Sequence, residues 1–194
     1  MIGCRPLADE EISAVLAQFG GRTALRDRAL FVLGIRTGYR ISELLSLTVG
    51  DVWQHGRVVD RVSVARRHMK GKTQGRTVLL HPEAKDAIAS WLAEQRARGV
   101  VDPKTPLFTS RQGSDRAMTR VRAHQILTAA FDAAGLTGKL ATHSMRKTFA
   151  HRMYERLGRD LLKLQRAMGH RNINDTVRYL SFREEEIDAA ILEG

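Results

Sequence analysis

Three features of this 194-residue chain predict a mainly α-helical α+β fold with a small antiparallel sheet. Apolar residues recur at helical spacing over most of its length. Only the stretch between Arg57 and Leu80 changes to β-rich runs on either side of a long turn. The composition, 43% hydrophobic and 27% charged with 16 Gly and 4 Pro, is that of a globular chain and argues against disorder, collagen and repeat arrays.

Taken in order, Pro6 and Leu7 lead into Asp9, Glu10 and Glu11 and then Ile12, Val15, Leu16 and Phe19. This pattern predicts an amphipathic helix with acids in its first turn, closed by Gly20 and Gly21. A second helix is predicted over 24–37, ended by Gly38, and a third over 41–47. Val58, Val59, Val62 and Val64, then Thr77, Val78, Leu79 and Leu80, flank the basic stretch 68–75 and predict a hairpin. A helix over 82–98 carries the apolar stripe Ala84, Ile88, Trp91 and Leu92. Residues 99–118 are dense in turn signals around Leu107 and Phe108, which we expect as a third, edge strand. Helices are predicted at 119–134, 144–157, 159–168, 175–180 and 183–192. No repeat or linker divides the chain, so a single domain is expected over 1–194.

The formal charge is +11, with 32 Lys and Arg against 21 Asp and Glu. So large an excess attracts polyanions, and nucleic acid is the commonest of these in a cell. The charge is uneven. Residues 61–76 hold Arg61, Arg66, Arg67, Lys70, Lys72 and Arg76 with no acid, while residues 183–194 hold five acids and one base, leaving +15 on residues 1–182. The one cysteine, Cys4, can form neither an internal disulfide nor a Cys-rich zinc site. The longest apolar run, residues 29–35, is far short of the roughly 20 residues that span a bilayer. A cytoplasmic protein without a membrane segment is expected.

Several motifs carry chemistry. His143 and Arg146 lie three residues apart, so on a helix they share a face and can converge on one small anion. With 7 His and 25 Arg in the chain, about one such pair arises by chance. Gly169-His170 is followed nine residues later by Tyr179, one of only 3 tyrosines. The chance expectation for that spacing is roughly 0.1. Arg40 stands just after the helix-ending Gly38, with Glu43 one turn on. Two of the seven lysines, Lys70 and Lys72, fall in the predicted hairpin turn.

In this order the set resembles the catalytic domain of the tyrosine recombinases, the phage integrase family, from Leu7 to the end of the chain. The resemblance includes Thr37-Gly38-Tyr39-Arg40-Ile41-Ser42-Glu43-Leu44, Met168-Gly169-His170, and Asn172, Asp175-Thr176 and Tyr179. It implies that Arg40, Lys72, His143, Arg146, His170 and Tyr179 are catalytic, with Tyr179 the nucleophile and Glu43 supporting. Arg66, Arg67, Lys70, Arg76 and Lys147 are expected to contact DNA. Tyr39, His151 and Tyr154 match no catalytic position and are expected in core or surface roles. The family resemblance further implies double-stranded DNA as partner and a homotetramer on synapsed DNA, monomeric or weakly associated when free. Accessory DNA-bending proteins, nucleoid association when DNA is bound, no metal and no cofactor are also implied. The resemblance further implies that most relatives carry an additional N-terminal DNA-clamping domain, which the expected single-domain arrangement lacks, so the chain is read either as a naturally single-domain recombinase or as a truncation.

The residue types suit that chemistry. In-line displacement at a phosphodiester gathers negative charge on the equatorial oxygens, where fixed cations lower the barrier most. An arginine offers a permanently charged planar fork. The tyrosine phenol is neutral near pH 7 and must lose its proton as it attacks, which makes His143 the candidate base. The resemblance puts a hairpin lysine as proton donor to the departing 5′-oxygen; between Lys70 and Lys72 we choose Lys72, because Lys72-Thr73-Gln74-Gly75-Arg76 fits the family's Lys-Thr-x-x-basic form better. Two other readings remain open on sequence alone: a type IB topoisomerase and a non-catalytic DNA-binding remnant.

Overall fold

Helix α2 (Ala24–Thr37) is buried on nearly every side: Ala29, Leu30, Phe31, Val32 and Leu33 are all fully inaccessible. The rest of the first compact unit, Met1–Phe149, is built around it. The computed structural model describes residues 3–65, 75–99, 102–110, 113–180 and 191–192. Before α2 come α1 (Asp9–Gln18) and a short 3-10 turn (Gly21–Thr23). After it come α3 (Ile41–Leu44) and α4 (Val49–Val52), then strands β1 (Trp53–Gln54), β2 (Arg57–Val58), β3 (Arg61–Val64) and β4 (Arg76–Leu79). Helix α5 (Pro82–Ala97), strands β5 (Thr109–Ser110) and β6 (Gly113–Ala117), and helix α6 (Arg120–Ala133) follow. Helix α7 (Thr142–Arg156) runs across the boundary of the unit.

Local chemistry accounts for the elements. Glycine at 38 ends α2 in the left-handed region, φ +62, with its N–H donating to the Gly34 carbonyl. Gly34 leaves room for α7, since a Cβ there would lie 2.5 Å from Met145 Sδ. Helix α5 is capped by His81, whose Nδ1 accepts from Glu83 N–H, and begins with proline at its first position. It packs its Ala84, Ile88, Trp91 and Leu92 face inward, and the Trp91 indole N–H donates to the Leu107 carbonyl. The buried Arg26 pairs with Asp27 at 2.8 Å and donates to the Thr109 carbonyl, which ties α2 to β5.

The expected hairpin forms in the register Arg61↔Leu79, Val62↔Val78, Ser63↔Thr77 and Val64↔Arg76. Its alternation points Val62 and Val64 into the core while Arg61 and Ser63 face out. The sheet itself needs a correction. In place of one sheet of three strands, the described strands form three separate two-stranded antiparallel ladders, β1 with β2, β3 with β4 and β5 with β6. Leu107 and Phe108 are buried core residues instead of an edge strand. Leu107 N–H donates to the Leu47 carbonyl and the Phe108 carbonyl accepts from Met118 N–H, so these bonds run to partners outside the β3–β4 ladder. The third helix is also shorter than 41–47, because the turn bonds of Ser46 and Leu47 give way to α4, which the Asp51 carboxylate caps at Thr48.

The second compact unit, Ala150–Gly194, begins with the last turns of α7 and holds α8 (Leu161–Met168) and α9 (Ile173–Val177). Asp160 caps α8 by accepting from the N–H groups of Leu162 and Lys163, and Gly169 closes it at φ +62. Asn172 caps α9 through Asn174 N–H. The predicted helix over 183–192 falls outside the described residues except at Ile191 and Leu192. Among the described residues no helix is long and apolar enough to cross a membrane.

Candidate active site

Arg40 occupies the residue before α3, where its own backbone N–H donates to Glu43 Oε2 at 2.8 Å and its guanidinium to Glu43 Oε1 at 2.9 Å. Glu43 is 1% exposed while the Arg40 side chain keeps 30%, so the carboxylate is the hidden anchor and the cation the accessible group. Arg146 rises from the first turns of α7 and is 1% exposed, and its guanidinium donates to the carbonyl of Gly38. His143, one turn earlier on the same helix, stays exposed. Partial burial of its ring, then the charges of Arg146 and Arg40, push its pKa below the ordinary histidine value. Its imidazole is therefore neutral at pH 7 and able to accept a proton. The first unit thus gathers Arg40, Glu43, His143 and Arg146 from sequence positions a hundred residues apart.

In the second unit His170 and Tyr179 are near neighbours, with ring centroids 5.3 Å apart. His170 is 9% exposed, and its Nδ1 lies 3.0 Å from Thr176 Oγ1 on α9. That contact fixes the orientation of the ring. Tyr179 is half-buried just beyond α9, where its N–H donates to the Thr176 carbonyl. Thr176 therefore holds both the histidine ring and the tyrosine backbone.

Arg66, Arg67, Lys70 and Lys72 lie outside the described residues. Lys147 is half-buried on α7. The expectation for Arg76 is corrected: it is 8% exposed, and its guanidinium donates to the Thr37 carbonyl at 2.7 Å, stacked 5.0 Å from the Tyr39 ring centroid and 5.6 Å from that of Phe149. A side chain so enclosed does not face a DNA surface. Tyr39 is a core residue, 1% exposed. Exposed cations that motif reasoning passed over are Arg116 on β6 and Arg120 and Arg122 at the start of α6. Their signal was present, since α6 carries no acid before Asp132. Among the described residues no group of three or more His, Cys, Asp or Glu side chains is placed to hold a metal ion.

Residues 6–186 match the phage integrase family, and the chain belongs to it. It is a tyrosine-type site-specific recombinase, an enzyme that breaks and rejoins DNA strands. It is 33% identical over 180 residues to the type 1 fimbriae regulatory protein FimE of Escherichia coli K12, a match covering 90% of this chain and 84% of that one. It is 32% identical to the tyrosine recombinase XerD of Mycobacterium leprae, covering 90% of this chain but 56% of the relative. In fold it is similar to the crystal structure of XerA recombinase, with a TM-score of 0.76 at 22% identity over 100% of this chain and 64% of that one. It also resembles XerH in its post-cleavage complex, with a TM-score of 0.73 at 24% identity over 96% of this chain and 52% of that one.

Proposed function

We propose that Tyr179 is the nucleophile of this recombinase and that Arg40, Arg146, His143, His170 and Lys72 complete its catalytic set, with Glu43 orienting Arg40. The supporting observation is the Arg40, His143 and Arg146 cluster, in which α7 and the turn before α3 bring three phosphate-suited side chains within electrostatic reach of one another. In the reaction the phenolic oxygen of Tyr179 attacks phosphorus, the bond from phosphorus to the 5′-oxygen breaks, and a 3′-phosphotyrosyl bond forms. His143 takes the phenolic proton, and Lys72 gives a proton to the departing 5′-oxygen. Arg40 and Arg146 neutralise the charge that builds on the equatorial oxygens, and His170 adds a hydrogen bond to the same phosphate. A 5′-hydroxyl from a partner duplex then attacks the phosphotyrosyl bond and restores Tyr179. The phosphotyrosyl bond keeps the energy of the broken phosphodiester, so the cycle runs without ATP.

We further propose that the chain acts in the cytoplasm, at the nucleoid, as a homotetramer on two synapsed duplexes, with accessory DNA-bending proteins. Exposed cations such as Arg116, Arg120 and Arg122, together with the half-buried Lys147, contribute phosphate contacts, which makes binding steeply salt-dependent. Incubation with a nicked suicide duplex tests the assignment. The wild type is expected to trap a covalent protein–DNA adduct and Tyr179→Phe to trap none; absence of adduct from the wild type, or its survival in the variant, overturns it.

A further inference from the structure

Arg76 and Tyr39 are buried near the proposed phosphate-binding cations, Arg76 within electrostatic reach of both Arg146 and Arg40. Arg76 is a fully charged type of side chain, 8% exposed, at the first position of β4. Burying it is costly unless its donors are used. Its Nη2 donates to the Thr37 carbonyl at 2.7 Å, the last carbonyl of α2, while the plane of the guanidinium lies over the rings of Tyr39 and Phe149. Arg146 donates to the very next carbonyl, that of Gly38. The Tyr39 hydroxyl sits 2.6 Å from the Arg76 carbonyl and 3.0 Å from the Val62 carbonyl, so the ring is fixed to both strands of the β3–β4 hairpin. Thr37 Oγ1 donates to the Leu33 carbonyl and lies 3.3 Å from Tyr39 N. Every residue of the turn 37–39 is thus held, and the residue it delivers is Arg40.

From this geometry we infer that Arg76 and Tyr39 are positioning residues for catalysis: bonded to the hairpin and to the turn 37–39, they fix the direction in which Arg40 meets the scissile phosphate. The inference rests on the proposed role of Arg40. Burial pushes Arg76 down to about 10, which leaves it a cation at neutral pH, able to hold its two-sided contact. Lysine in its place keeps the charge and loses the fork that grips the carbonyl and the plane that stacks. Phenylalanine in place of Tyr39 keeps the ring and loses only the hydrogen bond to the hairpin.

The test uses the full chain and two nicked suicide duplexes: one with the natural phosphodiester, the other with a methylphosphonate at the scissile position, in which a methyl group replaces one non-bridging oxygen and removes its charge. A residue that works by aiming a cation at that charge loses its importance on the neutral substrate. Single-turnover adduct formation by Arg40→Ala, Tyr39→Phe and Arg76→Lys is measured relative to wild type, with thermal melting as the check on folding. On the phosphodiester we expect about a tenfold loss for Tyr39→Phe and about a hundredfold loss for Arg76→Lys, with DNA affinity within about threefold of wild type. On the methylphosphonate both deficits shrink to about threefold or less, in step with that of Arg40→Ala.

A Tyr39→Phe rate equal to wild type on the phosphodiester, or a deficit of the same size on both substrates, overturns the inference. Should Arg76→Lys fail to fold, Tyr39→Phe decides alone. An Arg40→Ala deficit that does not shrink on the neutral substrate overturns the role of Arg40 itself, an outcome distinct from failure of the two variants alone.

Discussion

The cation cluster of the first unit and the His170–Tyr179 segment of the second are held in very different ways. Arg40, Arg146 and the turn between α2 and α3 are fixed by side-chain bonds to buried carbonyls and a buried carboxylate, on helices that carry the core. Tyr179 stands just past a five-residue helix, anchored locally by the Thr176 carbonyl, and Thr176 also contacts His170. Electrostatic stabilisation depends on groups that do not reorganise during the reaction, which is what a core-mounted cluster supplies. The role proposed for Tyr179, forming and later releasing a covalent bond, is compatible with a shorter, locally tied element.

That contrast can be broken at graded strengths. Arg146→Ala should lower the rate of adduct formation by about 10²–10³, the usual loss for one preorganised charge-stabilising group. It should also lower thermal stability, because the Gly38 carbonyl loses its donor; single-turnover trapping and calorimetry read the two effects separately. Gly38→Ala attacks the frame at the residue whose carbonyl accepts from Arg146, with every cationic side chain kept. Its φ is +62, and a Cβ would sit 2.7 Å from Phe149 Cγ, so the variant combines a left-handed alanine with overpacking. Denaturant unfolding should show a loss of about 2 kcal/mol. Thr176→Val is the mildest. It removes the hydroxyl facing His170 Nδ1 and keeps the shape, so adduct formation should fall about threefold while the Gly38-type loss of global stability is absent. A Thr176→Val variant that unfolds as readily as Gly38→Ala would erase the distinction between the two regions.

Much of the helical frame was legible because its signals are local. Gly38 closes α2 where a left-handed residue is required, and the Pro82 start and Trp91 stripe of α5 are periodic. The short helix α4 was not, since four residues give no periodicity and its cap, Asp51 on Thr48, is too brief a pattern to stand out. Leu107 and Phe108 have the apolar character of a strand, but their bonds go to Leu47 and Met118, partners no local pattern names. Arg40 with Glu43, and His143 with Arg146, were legible as helix-spaced pairs. Arg76 was misjudged for a physical reason: an arginine in a basic, alternating strand has the pattern of a surface cation. Only the tertiary placement of Thr37, Tyr39 and Phe149 turns it inward.

The two carbonyls gripped by Arg76 and Arg146 lie at the C-terminal end of α2, where the aligned peptide dipoles of that helix concentrate roughly half a negative charge. Part of the counter-charge for the buried guanidinium groups is thus supplied by main chain. A peptide dipole, unlike a carboxylate, cannot take up a proton or swing away, and it faces the cations from behind. On the roles proposed for Arg40 and Arg146, an incoming phosphate meets a positive site backed by main chain, and Glu43 is the one carboxylate bonded directly to Arg40 among the described residues.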